Sequence, residues 1–182
     1  MLATCNFTLA EFEEIWALLN EDVVAKYNTG RGRKSKTTAK DALLMLLAVL
    51  KQGELWDLMA KGFDMSATVF KKLISTLLTI VSGLAYQVFV KDFADKYTME
   101  QLITKNKQFQ HFPTSLYAVD VRFQQTNRPT GNYAEAKVWF SGKHSLYGVK
   151  TEAAVLSAGI AIYVSDCFKG SVHNKTILVD ND

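Results

Sequence analysis

The sequence predicts an α+β protein in which a helical N-terminal half precedes three antiparallel strands. Two patterns carry this expectation. Before Pro113, apolar residues recur three and four apart, the spacing of helices that bury one face. After Pro113 the period drops to two: Tyr117, Val119, Val121 and Phe123 alternate with Ala118, Asp120, Arg122 and Gln124, as in a strand. Pro113 disfavours helix in the residue before it. The chain therefore reads as a helical region over 1–112 and a strand-bearing region over 113–182.

The elements follow in order. Thr8 is an N-cap with Glu11 three residues on, a capping-box pattern, and Leu9, Phe12, Ile15, Trp16 and Leu19 continue at helical spacing to about Val24. Asn28-Thr29-Gly30 stops that helix. Thr37 or Thr38 caps a second, through Asp41 to Leu50, which breaks at Gln52-Gly53 before a third from Glu54 to Ala60. A tight turn, Gly62 to Met65, leads to Ser66, an N-cap for a helix reaching Ser82 with Val69, Leu73, Ile74, Leu77, Ile80 and Val81 as its apolar stripe. Leu84 to Phe93 fits either helix or strand, and Thr98 caps a short helix to Lys105. The strands are Leu116–Gln124, Leu146–Leu156 and Ile160–Val164, the last two joined at Ser157-Ala158-Gly159. Asn127 to Asn132 is a turn-rich loop, and a last helix opens at Asn174.

Composition narrows the class. A hydrophobic fraction of 48% with 12% aromatics excludes a disordered chain. No uninterrupted apolar run approaches the length that crosses a bilayer, and Glu11, Glu13 and Glu14 stand where a secretory signal would be apolar. Cys5 and Cys167 are far apart and match no metal-ligand spacing. The expectation is a soluble intracellular protein, with no membrane partner.

The net charge of +3 is modest, but it is unevenly spread. Acids dominate the first helix, and then Arg31, Arg33, Lys34 and Lys36 crowd into a glycine-punctuated segment. Such a block attracts phosphate backbones through counterion release; it reads equally as a nuclear-import signal or a solvated linker. Helices with a tight turn before the last also have the outline of a helix-turn-helix, which would aim Thr68, Lys71 and Lys72 at a DNA groove. The same pattern suits a plain trihelical bundle whose lysines only meet solvent.

Asp120 sits mid-strand, where a carboxylate is costly without a partner or a metal; Arg122, Lys143 and Lys150 are candidate partners. The run Tyr117-Ala-Val-Asp120-Val-Arg-Phe-Gln-Gln-Thr-Asn-Arg128-Pro-Thr-Gly resembles the first catalytic strand of PIF/Harbinger-type DDE transposases. Phe140-Ser-Gly-Lys-His144 is similar to their Tyr/Phe-Ser-Gly-Lys-Lys/His element. Phe168-Lys-Gly-Ser-Val-His-Asn-Lys-Thr-Ile-Leu178 is similar to their Pro-Gly-Ser-x-His-Asp-x-x-Ile-Leu box. The three occur in the family's order, and the Trp56–Val81 block looks like the helix-turn-helix upstream of that nuclease core.

The resemblance implies a DNA-binding region over 1–112 and, over 113–182, the first three antiparallel strands of an RNase H-like DDE endonuclease core. It implies magnesium or manganese as cofactor, held by carboxylates that activate a water or a 3′-hydroxyl. Asp120 matches the first catalytic and metal-binding acid. Asn174 stands where the box has an aspartate, and an amide binds a dication more weakly. The later Gly-Asp-x-x-Tyr and the final glutamate have no counterpart here, and Asp180 and Asp182 read as surface acids. The chain thus reads as C-terminally truncated relative to the family and inactive alone, with a site that holds a metal weakly or not at all. Its DNA contacts would be Arg31, Arg33, Lys34, Lys36, Thr68, Lys71 and Lys72, with Arg128, Lys143 and His144 added from the second half, and its compartment the nucleus. Two rivals stand beside this: a fragment of an active transposase, and a remnant that binds only protein. An unfinished core would also leave the strand Leu116–Gln124 with an open edge for self-association or a partner.

Overall fold

The computed structural model describes residues 2–94 and 96–180. The chain divides into two compact units, Met1–Val88 and Phe89–Asp182. The units part inside a helix rather than at Pro113, so the Thr98-capped helix falls in the same unit as the sheet. Its Leu102 is fully buried, and Ser157 beyond the strands donates a hydrogen bond to the Lys107 carbonyl.

The first unit is helical: α1 (Leu2–Cys5), α2 (Leu9–Lys26), α3 (Ala39–Gln52), α4 (Trp56–Gly62) and α5 (Ala67–Tyr86). The caps lie where the sequence places them. Thr8 and Glu11 close a reciprocal capping box, Thr8 N donating to Glu11 Oε2 at 2.7 Å and Glu11 N to Thr8 Oγ1 at 3.2 Å. The Thr8 backbone N–H and, at 2.8 Å, the Thr8 hydroxyl both donate to the Glu11 carboxylate and hold it below its ordinary range. Thr38 accepts from Asp41 N, and Gly53 ends α3 in the left-handed conformation. The core forms where Phe12, Leu19 and Val23 of α2 and Leu43 and Leu46 of α3 meet Phe70, Ile74 and Leu77 of α5. Each such burial contributes about 1.5–3 kcal/mol.

The turn before α5 differs in one respect from its expected chemistry. Asp64, not Gly62, takes the left-handed conformation, at φ 52°. Met65 N donates to Ala60 O and Asp64 N to Lys61 O, the bond pair of a Schellman ending. Aspartate tolerates that conformation because its short polar side chain bonds locally. Phe63 then stacks on Phe70 at 5.6 Å and Trp56 meets the same ring edge-on at 6.2 Å, setting the packing of α4 on α5.

The ambiguous stretch after Ser82 is helical. α5 widens into a π-helical turn at Gln87–Lys91 and ends in α6 (Asp92–Ala94). The helical run Ala67–Ala94 is long and apolar enough, by length and composition, to cross a membrane, which the pattern of uninterrupted apolar runs does not reveal. Core helices meet the same criterion. Within the first unit this one buries Phe70, Ile74, Leu77 and Val81 along one face while Lys71 and Lys72 are exposed.

The second unit adds α7 (Met99–Thr104), β1 (Ala118–Gln125), α8 (Tyr133–Lys137), β2 (Phe140–Ser141), β3 (Leu146–Val155), β4 (Ala161–Val164), β5 (Phe168–Lys169) and α9 (Asn174–Asp180). The three expected strands are β1, β3 and β4, all antiparallel, and β3 pairs with each of the other four. Bond parity separates its two edges. Thr126 N donates to Tyr147 O, so odd-numbered residues of β3 bond toward β1. Ser165 N donates to Glu152 O and Gly148 N to Trp139 O, so even-numbered residues bond toward β4 and β2. β2 and β5 are two residues each, too short to carry a period. Among the described residues β1 has one neighbour, β3.

Gly148 lies where strands approach most closely. A Cβ there would collide with the Gln124 carbonyl oxygen and the Phe123 ring, whereas one on Gly142 would meet nothing within 4 Å. Gly148→Ala should therefore destabilise the protein by about 1–3 kcal/mol, as overpacking does, and Gly142→Ala should stay within about 0.5 kcal/mol of wild type. Denaturant titration of both variants checks the contrast.

Candidate functional site

In the first unit the basic segment is a folded loop. The Asn28 side chain, on a residue at φ 60°, accepts from Ser35 N at 2.9 Å and donates to Ser35 O at 3.2 Å, closing the loop across seven residues. Tyr27 Oη donates to Thr37 O at 3.1 Å. Lys34 bonds within the loop, its ammonium donating to the Asn28 and Gly30 carbonyls at 2.7 and 2.8 Å. All four cations of this segment are exposed, and of them Lys34 also ties the loop together.

This loop borders a groove of about 890 Å3. Its lining brings Arg33, Lys34 and Lys36 of the loop together with Lys72 of α5 and with apolar Leu44, Met45, Val69 and Leu73. Lys72 also lines an adjoining recess of about 520 Å3 with Trp56, Thr68 and Lys71. Thr68, Lys71 and Lys72 all fall in the first two turns of α5 and are exposed. The basic segment and α5, separate in sequence, thus put their cations on one concave surface. Arg31 lies outside the groove lining. Asp41 and Asp64 add acids at its margin.

In the second unit Asp120 is exposed on β1 opposite Ala153. Its Oδ1 accepts from Val121 N at 2.9 Å, and among the described residues no cation pairs with it. None of the three expected partners reaches it. Arg122 is the next residue on the same face, and Lys143 is exposed in the β2–β3 turn. Lys150 points to the opposite face, where it is buried and its ammonium donates to the Val172 carbonyl at 2.6 Å. Asn174 is the first residue of α9, following His173, whose Nδ1 accepts from Lys175 N at 3.2 Å. Among the described residues no three His, Cys, Asp or Glu side chains gather as metal ligands. Asp182 and the side chain of Asp180 lie outside the described residues.

The remaining candidates are dispersed. Arg128 is exposed in the β1–α8 loop. His144 stacks on Phe123 of β1 at 4.4 Å, nearly parallel, so its ring closes the end of the sheet as well as facing solvent. Neither cysteine forms a disulfide among the described residues; Cys5 is buried and Cys167 exposed. Sequence reasoning offered Lys150 only as a partner for Asp120, and it missed Glu152, beside Lys150 on the buried face of β3, and Ser141, whose buried Oγ has no partner among the described residues. The alternation of β3 is legible in its residues, but which face is covered is not, because Lys150 and Glu152 are charged and would be placed outward.

A family model described as DDE superfamily endonuclease matches residues 119–181. The match spans nearly all of β1, all of the other strands, α8 and α9, and so includes Asp120, the Phe140–His144 element and Asn174. No curated protein and no solved structure matches the chain.

Burial lowers the Lys150 ammonium below its ordinary value near 10.5, and repulsion from Lys143 adds to the effect. A lysine depressed in the folded state costs stability while protonated. That cost fades as pH rises from the depressed value toward 10.5, because the unfolded chain then binds the extra proton. Stability of the wild type relative to Lys150→Met should therefore rise over that alkaline window. Thermal unfolding of both proteins across pH measures the difference, and parallel curves would place the Lys150 ammonium in water.

Proposed function

We propose that this chain is a transposase-derived DNA-binding protein of PIF/Harbinger type whose DDE core does not cut DNA by itself. The observation that supports the reading is the groove of the first unit, whose lining brings Arg33, Lys34 and Lys36 of the loop together with Lys72 of α5. α4, the Schellman turn and α5 supply a helix-turn-helix, with α5 as the recognition helix. Residues at the start of such a helix reach base edges, and here those are Thr68, Lys71 and Lys72. Arg31, Arg33 and Lys36 supply phosphate contacts, which position the protein without reading sequence. Lys34 acts through the shape of the loop. Arg128, Lys143 and His144 are added contacts from the second unit. The similarity of residues 119–181 to a DDE superfamily endonuclease supports both the origin and DNA as the partner. β1, β3 and β4 are read as the opening strands of its RNase H-like sheet.

A two-metal nuclease site does not fit the residues described. DDE endonucleases use divalent metals, and such centres clamp the attacking and leaving oxygens between two ions. Asp120 contributes one carboxylate, whose Oδ1 is taken by Val121 N, and Asn174 contributes a neutral amide. With no cluster of three acidic, histidine or cysteine ligands among the described residues, no cleavage step is written for this chain alone.

Two experiments test the reading. Purified protein with magnesium or manganese and supercoiled plasmid should give no nicked product. Nicking that disappears in Asp120→Ala would instead favour a fragment of an active transposase. DNA titrations across salt concentrations test the groove. Replacing Arg31, Arg33 and Lys36 by alanine should weaken binding on all sequences alike and flatten the salt dependence by roughly 0.9 for each phosphate left without its cation. Lys72→Ala should instead alter sequence preference. An unchanged slope in the triple variant removes the loop from the interface.

A further inference from the structure

β1 bonds to β3 through its even-numbered residues, as the Thr126 N to Tyr147 O bond sets by parity. The main-chain groups of Val119, Val121, Phe123 and Gln125 therefore face the unpaired edge. Two local bonds agree with that assignment. Val121 N donates to Asp120 Oδ1, and the Gln125 carbonyl accepts from Gln124 Nε2 at 3.3 Å. Beside this edge Tyr117 and Val119 are 47% and 39% exposed. Arg122, like Asp120, makes no ion pair among the described residues.

We infer that the outer edge of β1 pairs with the same edge of a second copy of this chain, antiparallel about Val121. Charge selects this register. Parity permits two-fold pairing about Asp120, Val121 or Arg122, since each sets outward-facing residues opposite one another. Centring on Asp120 opposes two aspartates, and centring on Arg122 opposes two arginines. Centring on Val121 instead sets Asp120 of each copy across from the other copy's Arg122, twice. Those are non-hydrogen-bonded pairs, the kind with the closest side chains. The same register bonds Val121 to its own counterpart and sets Val119 across from Phe123, so apolar residues meet on the opposite face. In forming, Val121 N exchanges the Asp120 carboxylate for a main-chain carbonyl, and the carboxylate is released to the facing guanidinium. The inference is independent of DNA binding by the first unit.

A reciprocal charge reversal tests it on the full chain. Sedimentation equilibrium across a concentration series should show a dimer for the wild type. Arg122→Asp and Asp120→Arg should each weaken association by about tenfold or more, since both facing pairs become like-charged. The double variant carrying Asp120→Arg and Arg122→Asp should recover wild-type affinity. Circular dichroism of each variant reports folding, and the double variant's recovery cannot come from a misfolded protein. A wild type that stays monomeric overturns the proposal. So does a dimer indifferent to either single reversal, or protection of the Val119, Val121 and Phe123 amides from exchange in a monomer, which would mean the chain covers its own edge.

Discussion

The second unit depends on one strand. Among the described residues every other strand pairs with β3, which bonds with opposite parity on its two sides. Along one edge lies the long strand β1, and along the other β4 and β2 attach by even-numbered residues of β3. Both the motif around Asp120 and the motif around His144 take their positions from it. Its buried face holds Gly148, Lys150, Glu152 and Ala154 in alternation, so two charged side chains stand where an ordinary strand would bury valines. Lys150 is accommodated because its ammonium reaches the Val172 carbonyl in the loop before α9. That bond ties the Phe168–Leu178 box, at Val172, to the centre of the sheet.

How much of this is legible in the sequence depends on the range of the forces involved. Caps and periodic stripes are local, and the helices capped by Thr8, Thr38 and Thr98 follow directly from their residues. β1, β3 and β4 are equally plain, from alternation and the Gly159 turn. What fails to appear is non-local or too short. The strands Phe140–Ser141 and Phe168–Lys169 exist only because β3 offers an edge to them. The helix Tyr133–Lys137 does carry a signal, the Asn132–Glu135 capping box, set within a turn-rich stretch that draws attention away from it. The compact units divide at Val88 rather than Pro113 because a proline marks a change of backbone, whereas the Lys107 carbonyl is bonded by Ser157 just after β3.

The site residues show the same division. Residue type marks these side chains as cations, but what each one contacts comes from geometry. Lys34 reads as one more positive charge and is instead bound to two carbonyls of its own loop. His144 reads as a companion of Lys143 and is stacked on Phe123. Lys150 reads as a partner for Asp120 and lies on the opposite face of the sheet.

The closed loop between Asn28 and Thr37 has a thermodynamic consequence. A basic segment rich in glycine and lysine would ordinarily be a loose tether, and ordering it against a phosphate backbone would forfeit conformational freedom residue by residue. Here Asn28, Tyr27 and Lys34 hold the backbone before any ligand arrives. The exposed arginines stand on a backbone that these bonds already close. Positive charge and a closed backbone thus come from the same short segment, and on the proposed reading a phosphate contact would order little beyond the arginine side chains.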